Sequence, residues 1–247
     1  MATTTLTEYK VWDRTTRVFH WVNLLAMLVL IVCGVALLNA KTLGIPNDGK
    51  ILLKIIHVYA GYVFAVNLAW RLIWAFVGGP FARWRSILPF GKGYGAALKA
   101  YVSGEKTTYL GHNPLGRMAV SLLLIALTVQ AVTGIVLAGT DIYYPPFGGM
   151  ILEWIAAPGV DPSTIVPYDR SLVNPDEYKA MRAFRSNFLL THVNNFYAII
   201  TLVVLHIAAV VWTDNRHGGG IISAMFTGRK ALSVVRVGEA VSVGIGG

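Results

Sequence analysis

The sequence predicts an all-α membrane protein, a four-transmembrane-helix bundle, and three observations support this fold class. Hydrophobic residues make up 55% of the 247 positions and charged residues only 13%, whereas a soluble domain carries about 25% charged residues. Four apolar stretches are long enough to cross a bilayer as helices. The basic residues behind the formal charge of +9 flank these stretches, so the positive charge does not indicate nucleic-acid binding.

The predicted elements form one membrane domain over residues 1–247. The four predicted spans, in chain order, are 18–38, 52–77, 117–138 and 189–213. An extramembrane loop of about 50 residues, 139–188, separates the third and fourth spans, and a tail, 214–247, follows the last one. We expect no cleaved signal peptide, because Glu8 and Asp13 precede the first apolar stretch and no cleavage motif follows it.

The distribution of Lys and Arg predicts the orientation. Four spans place both termini on one side, and that side carries twelve basic residues against six on the other. By the positive-inside rule, both termini are predicted to be cytoplasmic. The loop 139–188 then faces outward, into the periplasm, and we expect the protein in the bacterial inner membrane.

The fourth predicted span carries two histidines, His192 and His206, in an otherwise almost wholly apolar stretch. On a helix, their separation of 14 residues corresponds to ~1400° of rotation and ~21 Å of rise, so both rings leave nearly the same face. The predicted topology places His192 near the outer side and His206 deeper, toward the cytoplasm.

Four histidines therefore fall into two levels, with two at each level. His57 lies near the start of the second span and matches His192 in depth, whereas His20 lies near the start of the first span and matches His206. Two neutral imidazoles on facing helices are typical of bis-histidine haem ligation, and helix bundles commonly hold cofactors in this way. This pattern favours two haems.

Two other interpretations of the histidines stay open. A single intramembrane histidine can simply hydrogen-bond a neighbouring helix. A proton relay also uses buried histidines, but normally together with carboxylates, and the predicted spans contain none. The single cysteine, Cys33, excludes an intrachain disulfide and a C-x-x-C-H attachment site. Any haem must therefore be held by coordination.

Further candidate cofactor-binding residues follow from the same 14-residue step. The step leads from His20 to Gly34 and from His57 to Arg71. A glycine lets a flat macrocycle approach the backbone, and Gly61 is a second candidate for this role. A buried arginine needs an anion, which a haem propionate supplies; the alternative is that Arg71 snorkels to the cytoplasmic surface. Arg17 is a further candidate.

Three motifs carry a resemblance to a known family. The stretches "VWDRTTRVFHWVN", "GHNPLGR" and "GGGIISAMFTGRK" resemble the b-type cytochrome subunit of membrane-bound nickel–iron hydrogenases and related dihaem cytochromes of the bacterial cytochrome b family. The resemblance covers all four spans and the tail. The fourth span is also similar to the membrane subunit of respiratory formate dehydrogenase.

The resemblance implies an electron-transfer subunit of a quinone-linked oxidoreductase complex. Electrons are expected to come from a periplasmic partner, such as the small subunit of the hydrogenase, and to reach ubiquinone or menaquinone near the cytoplasmic side through two haems b. The implied axial ligands are His20, His57, His192 and His206. His112 and Asn113 are candidates for the quinone site; the alternative for "GHNP" is a turn in which Asn113 and Pro114 start a helix.

The loop 139–188 is longer than the resemblance leads us to expect. It is predicted to contain short helices of its own, for example around "PDEYKAMRAF". It could dock a different donor, such as a multihaem cytochrome or another dehydrogenase. A haem-free structural anchor and a transporter are competing functions, and an optical spectrum separates them from a cytochrome.

Overall fold

The structure is a computed structural model, and it describes residues 6–105, 109–217 and 220–233. Two of the basic residues counted above, Lys106 and Arg236, and residues 218–219 and 234–247 of the predicted tail lie outside these ranges. The helices are α1 (Arg14–Leu38), α2 (Asn47–Val77), α3 (Trp84–Ile87), α4 (Tyr94–Val102), α5 (Pro114–Ile142), α6 (Gly148–Ile155), α7 (Pro175–His217) and α8 (Ile221–Thr227). Strands β1 (Leu6–Lys10) and β2 (Arg229–Ser233) flank them, and a 3₁₀ turn covers Pro162–Thr164.

Four helices, α1, α2, α5 and α7, are long and apolar enough to cross a membrane, which confirms the predicted number of spans. Little of their apolar surface is covered by protein: only 6% of the most apolar window of α7 is buried. Large apolar side chains such as Val66 and Leu190 are exposed. A soluble monomer rarely exposes so much contiguous apolar surface, so this surface fits contact with lipid.

All four helices begin before the predicted spans, and α7 differs most. It begins at Pro175 rather than near residue 189, so the short helix expected around "PDEYKAMRAF" is the first part of the spanning helix. Asn174 caps this start, since its side-chain oxygen accepts hydrogen bonds from the backbone N–H of Asp176 and Glu177. Proline at the first helical position and acidic residues in the first turn stabilise such a start.

Similar caps set the starts of α1 and α5. The carboxylate of Asp13 accepts a hydrogen bond of 2.7 Å from the backbone N–H of Thr16. The side-chain oxygen of Asn113 accepts one of 2.6 Å from the N–H of Gly116. Because capping residues are polar, these helices start outside the apolar stretches, and a hydropathy pattern places their starts too late.

The chain divides into two compact units. The first unit contains the described residues up to Trp21, the segment Ala69–Ile125 and the described residues from Ile199 onward. In it, β1 and β2 pair antiparallel, with Leu6 opposite Ser233. A small core of Val11, Trp12 and Ala224 lies beside this pair of strands, so the two ends of the described chain pack together.

The second unit contains Val22–Leu68 and Ala126–Ala198. The segment between α5 and α7 builds a small core of its own, made of Ile151, Ile155, Ile165, Val173 and Met181. We call residues 143–185 the outer module, after the outward side on which the positive-inside rule predicts this segment. Asp141 ties three helices together in this unit, because its carboxylate lies 2.5 Å from Lys54 Nζ and 2.9 Å from an Arg185 nitrogen.

Candidate functional site

In the second unit, α2 and α7 bring His57 and His192 together. Their ring centres are 6.3 Å apart and the ring planes make an angle of 69°. Two imidazoles that share one metal ion through bonds of about 2 Å have ring centres about 6 Å apart. The Nδ1 of His57 is buried and has no hydrogen-bond partner among the described residues. This pair therefore fits shared ligation of one haem iron.

Glycines lie against both rings of this pair. A Cβ added to Gly34 lies 3.6 Å from Cε1 of His57, and one added to Gly134 lies 3.2 Å from Cε1 of His192. Only the second distance is tighter than an ordinary van der Waals contact, so Gly134 is the glycine that the imidazole itself requires. A Cβ on Gly61 meets only Leu30, at 3.9 Å, and its role as a cofactor contact stays a prediction.

The imidazole of His192 has a polar partner at each nitrogen. The amide of Gln130 lies 3.0 Å from Nε2, and the hydroxyl of Thr133 lies 2.9 Å from Nδ1. Thr133 was not among the site residues predicted from the sequence. Its spacing of three residues from Gln130 places both on one face of α5, a signal that could have identified it.

In the first unit, α1 and α7 carry the second pair. The imidazoles of His20 and His206 lie close enough to interact electrostatically. The Nδ1 of His20 is buried without a hydrogen-bond partner among the described residues, and its ring packs edge-on against Trp21 at 5.3 Å. Buried polar atoms usually have a hydrogen-bond partner. A buried imidazole nitrogen without one therefore fits a histidine that also binds a metal or a further group.

Arg71 is buried in the first unit and does not reach the surface, since only 5% of it is exposed. Its Nη1 donates a hydrogen bond of 3.1 Å to the carbonyl of Ala82, and its guanidinium lies 5.9 Å from the ring of Phe19. It also interacts electrostatically with Asp13, a carboxylate that was not predicted as its partner from the sequence. Snorkelling to the surface is therefore not observed, and the role of Arg71 as a partner of a haem propionate stays a prediction.

Asp13 joins the start of α1 to the end of α2. Its carboxylate accepts hydrogen bonds from Thr16, from Trp74 Nε1 at 3.1 Å and from the backbone of Gly79 at 3.4 Å. Burial raises the pKa of Asp13, but these hydrogen bonds together lower it below its ordinary value. The carboxylate is therefore ionised at neutral pH and faces Arg71 as an anion.

Arg17 lies in the same unit as His20. Its Nη1 donates to the carbonyl of Phe226, while its Nε is buried without a hydrogen-bond partner among the described residues. Gly228 approaches both Arg17 and Trp12, because a Cβ there would lie 2.7 Å from the carbonyl oxygen of Trp12. Phe226 and Gly228 thus hold the side chain of Arg17, in the first turn of α1, in place.

His112 and Asn113 precede α5 and differ in what they bind. The Nδ1 of His112 is buried without a hydrogen-bond partner among the described residues, and its ring lies 4.9 Å from that of Trp12. Burial and the positive charges of Lys230, Arg71 and Arg117 lower the pKa of His112 to about 3. The ring is therefore neutral at physiological pH, with a nitrogen available to a ligand.

Asn113, by contrast, already has partners for both polar atoms of its side chain. Its oxygen caps α5, and its Nδ2 donates a hydrogen bond of 3.0 Å to the hydroxyl of Tyr101. This geometry favours the helix-start alternative for Asn113. An amide nitrogen carries two hydrogens, so one donor is left for a quinone oxygen.

Comparisons with known proteins agree with this arrangement. The family model of prokaryotic cytochrome b561 matches residues 11–228. The "Probable Ni/Fe-hydrogenase B-type cytochrome subunit" of Rhizobium leguminosarum bv. viciae is 25% identical over 238 residues, which cover 89% of this chain and 87% of that protein. The protein of the same name from Rhodobacter capsulatus is 25% identical over 244 residues, which cover 94% of this chain and 84% of that protein. The one from Azotobacter vinelandii is 29% identical over 162 residues, which cover 60% of this chain and 67% of that protein.

The family match covers most of the chain, including all four histidines of the two pairs. A cytochrome b carries haem b, and four apolar helices make it a multi-pass membrane protein. Residues 11–228 thus place this chain in the prokaryotic cytochrome b561 family.

Proposed function

We propose that this chain is the membrane electron-transfer subunit of a quinone-linked oxidoreductase complex. The observation that carries the proposal is the presence of two separate histidine pairs, one in each unit of the chain. Two haems b, when bound, supply one-electron transfer across the membrane. His57 and His192 hold one of them, and His20 and His206 hold the other.

The remaining site residues position and neutralise these groups. Arg71, which is buried, and Arg17, which is half-buried with a buried Nε, are cations in the unit that contains His20 and His206, and they offer hydrogen bonds to propionates. Gly34 and Gly134 leave room beside the rings of the other pair. Gly61 lies on α2, one turn after His57, and serves the same purpose.

The proposed orientation places both termini in the cytoplasm and the outer module in the periplasm of a bacterial inner membrane. The excess of Lys and Arg on the side of the termini supports this orientation. The pairing of β1 with β2 supports a common side for both ends of the chain. His57 and His192 then form the outer level, and His20 and His206 the inner level.

The proposed donor is a periplasmic redox subunit that docks on the outer module. Relatives named as Ni/Fe-hydrogenase cytochrome subunits support the hydrogenase small subunit as this donor. A multihaem cytochrome or another dehydrogenase is the alternative, since the outer module has its own core and offers a preformed surface.

The outer module carries a basic groove, which we define by Arg170, Tyr178, Lys179 and Arg182. It encloses about 530 Å³. The guanidinium of Arg170 lies 5.1 Å from the ring of Tyr178, and none of the three cations forms a salt bridge with another described residue. Arg182 precedes the apolar stretch of α7 by seven residues, which is ~10 Å along a helix. The headgroup layer of a bilayer is only ~6 Å thick, so Arg182 lies beyond it. This depth favours an acidic protein surface over lipid.

The docking proposal is tested by charge reversal in the basic groove. Arg182→Glu is expected to slow association of a purified periplasmic Ni/Fe hydrogenase heterodimer roughly tenfold at low salt, because complementary charge mainly raises the association rate. Binding to the chain in lipid nanodiscs is measured by interferometry. Lys41→Glu, an equal charge change at an exposed site outside the groove, is the control. Equal rates for both variants would remove the groove from the docking surface.

Quinone is proposed to bind beside the inner pair, with His112 as its hydrogen-bond donor. The neutral ring and the buried Nδ1 of His112 support this role. Asn113 has one amide hydrogen left for a second contact. Reduction of a quinone to a quinol takes two electrons and two protons, and the proposed orientation supplies these protons from the cytoplasm.

The whole proposal is tested by haem analysis of the purified chain followed by rapid kinetics. We expect two haems per chain that acid–acetone extracts, and sharp bands in the reduced spectrum. In a His206→Ala variant, the native donor is expected to reduce the outer haem quickly while quinone reduction stops. A chain without haem would instead be an anchor or transporter, and continued quinone turnover in the variant would move the quinone site to the outer level.

A further inference from the structure

A series of hydrogen bonds in the second unit, which we call the relay, joins Ala126, Asn195, Gln130, His192 and Thr133. Its geometry determines which group is the donor in each bond. The relay starts from the carbonyl of Ala126, which can only accept. Asn195 Nδ2 lies 2.8 Å from this oxygen and 2.8 Å from Gln130 Oε1. Both hydrogens of the Asn195 amide are therefore used, and the atom of Gln130 that faces Asn195 must be its oxygen.

The orientation of Gln130 then determines the tautomer of His192. With its oxygen toward Asn195, Gln130 presents its amide nitrogen to His192 Nε2 at 3.0 Å. An amide nitrogen only donates, so Nε2 must accept and carries no proton. The proton of the neutral imidazole is therefore on Nδ1, which lies 2.9 Å from the hydroxyl oxygen of Thr133.

Thr133 completes the relay as an acceptor. Its own hydroxyl hydrogen goes to the helix carbonyl of Val129, at 2.7 Å, which leaves an oxygen lone pair for the N–H of His192. Thr133 is buried, with 6% exposed, so water does not replace this bond. The relay thus ends on a second backbone carbonyl. The backbone of Gln130 also hydrogen-bonds the ring of His192, so Thr133 is its side-chain acceptor but not its sole partner.

We propose that Thr133 is a positioning residue for the haem ligand His192: it holds the imidazole as the Nδ1–H tautomer and leaves the Nε2 lone pair for iron. This inference rests on the proposed function, in which His192 ligates a haem. An acceptor on the distal N–H of a ligating histidine fixes the ring and raises its basicity as a ligand. A haem iron would need the lone pair that the Gln130 amide now contacts at Nε2, so Gln130 would give up this contact on haem binding.

The same helix offers a matched control. Thr140 is buried to a similar degree, with 3% exposed, and its hydroxyl donates to the carbonyl of Val136 at 3.1 Å. It has no hydrogen bond to a histidine among the described residues. Thr140→Val therefore removes the same kind of intrahelical bond from α5 without touching the relay.

The test compares Thr133→Val, Thr133→Ser and Thr140→Val in the purified haem-loaded chain. Loss of the acceptor weakens electron donation to iron, so Thr133→Val should shift one haem potential in the positive direction. It should also speed haem transfer to apomyoglobin roughly 10- to 100-fold, the range for lost partners of metal ligands. Thr133→Ser should restore both values, and Thr140→Val should leave them unchanged.

The outcomes separate this inference from the proposed function. Two haems with wild-type potentials and transfer rates in Thr133→Val would overturn the positioning role alone. A wild-type chain without haem would overturn the proposed function, and this inference with it. If Thr133→Val does not accumulate, Thr133→Ala removes the acceptor with a smaller side chain and gives the same readouts; unchanged values there also overturn the inference.

Discussion

The two histidine pairs have different chemical surroundings. In the second unit, neutral amide and hydroxyl groups hold His192 in one tautomer. In the first unit, His206 lies near a group of cations, since His112 interacts electrostatically both with it and with Arg71, Arg117 and Lys230. Two carboxylates, Asp13 and Asp214, oppose these cations only in part.

This difference gives the proposed electron path a direction. Nearby positive charge stabilises the reduced form of a haem, which carries one positive charge less than the oxidised form. A hydrogen-bond acceptor behind a histidine ligand has the opposite effect, because it strengthens electron donation to the oxidised iron. The inner haem is therefore expected to have the higher potential, so electrons entering at the outer pair move downhill.

The largest effect is expected from removal of a ligand. His57→Ala and His192→Ala should each lower the haem content from two to one and remove the same component of the reduced spectrum. His20→Ala and His206→Ala should remove the other component. Haem extraction and low-temperature spectra measure both. If His20→Ala and His57→Ala removed the same component, the assignment of one pair to each unit would be wrong.

A smaller effect is expected at the proposed quinone site. His112→Leu should lower quinone reduction roughly 100-fold or more, the usual contribution of a positioned proton donor, while both haems stay reducible. Asn113→Asp keeps the helix cap but removes the amide donor, so it separates the two interpretations of Asn113. Full activity in Asn113→Asp would leave Asn113 as a cap only, and full activity in His112→Leu would place the quinone elsewhere.

Replacement of a single cation tests the difference in charge between the surroundings of the two histidine pairs. Arg71→Gln should lower the potential of the inner haem and leave the outer potential unchanged, because Arg71 belongs to the unit of His20 and His206. Potentiometric titration of both spectral components measures the shift. Arg170→Gln, which removes an equal charge from the outer module, is the control. A shift of the outer potential alone in Arg71→Gln would contradict the assignment.

The sequence predicted the spanning helices and the histidine pairs for a simple reason. A bilayer requires long apolar helices, and a regular helix fixes the depth of each residue from its number alone. The pairing of His57 with His192 followed from depth, and their contact agrees with it. The early start of α7 was missed, because its first turns are polar and its boundary depends on the cap at Asn174.

Other parts of the site depend on contacts that no periodic pattern encodes. Asp13 and Arg71 lie far apart in sequence and meet only because α1 and α2 pack together. Thr133 is one of many threonines in apolar helices, and only its distance to Nδ1 of His192 distinguishes it. Thr140 has the same local bond to its own helix but no hydrogen bond to a histidine within the part of the chain that the structure describes.

The smallest effect on electron transfer is expected at Lys230, a buried cation of the first unit. Burial lowers the pKa of Lys230 to about 8, against an ordinary value of 10.5, and Asp214 offsets the burial only in part. Between these two pH values, the unfolded chain keeps a proton that the folded chain has lost. The free energy of unfolding should therefore rise as the pH increases from about 8 to 10.5. Below pH 8, the buried ammonium destabilises the fold by about 3 kcal/mol, since each pKa unit corresponds to about 1.36 kcal/mol.

Lys230→Met tests this linkage, because it keeps the length of the side chain and removes the charge. The variant should unfold at a higher temperature than the wild type at pH 7, and the difference should shrink as the pH rises toward 10.5. Tryptophan fluorescence of the chain in nanodiscs follows the unfolding, since Trp12 belongs to the core beside β2. In this variant, the carbonyl oxygen of Tyr109 loses the hydrogen bond of 3.4 Å that Lys230 Nζ donates to it, and this loss reduces the gain in stability. A constant difference between pH 7 and 10.5 would show that Lys230 does not titrate in this window, and that the cations of the first unit are more hydrated than their burial indicates.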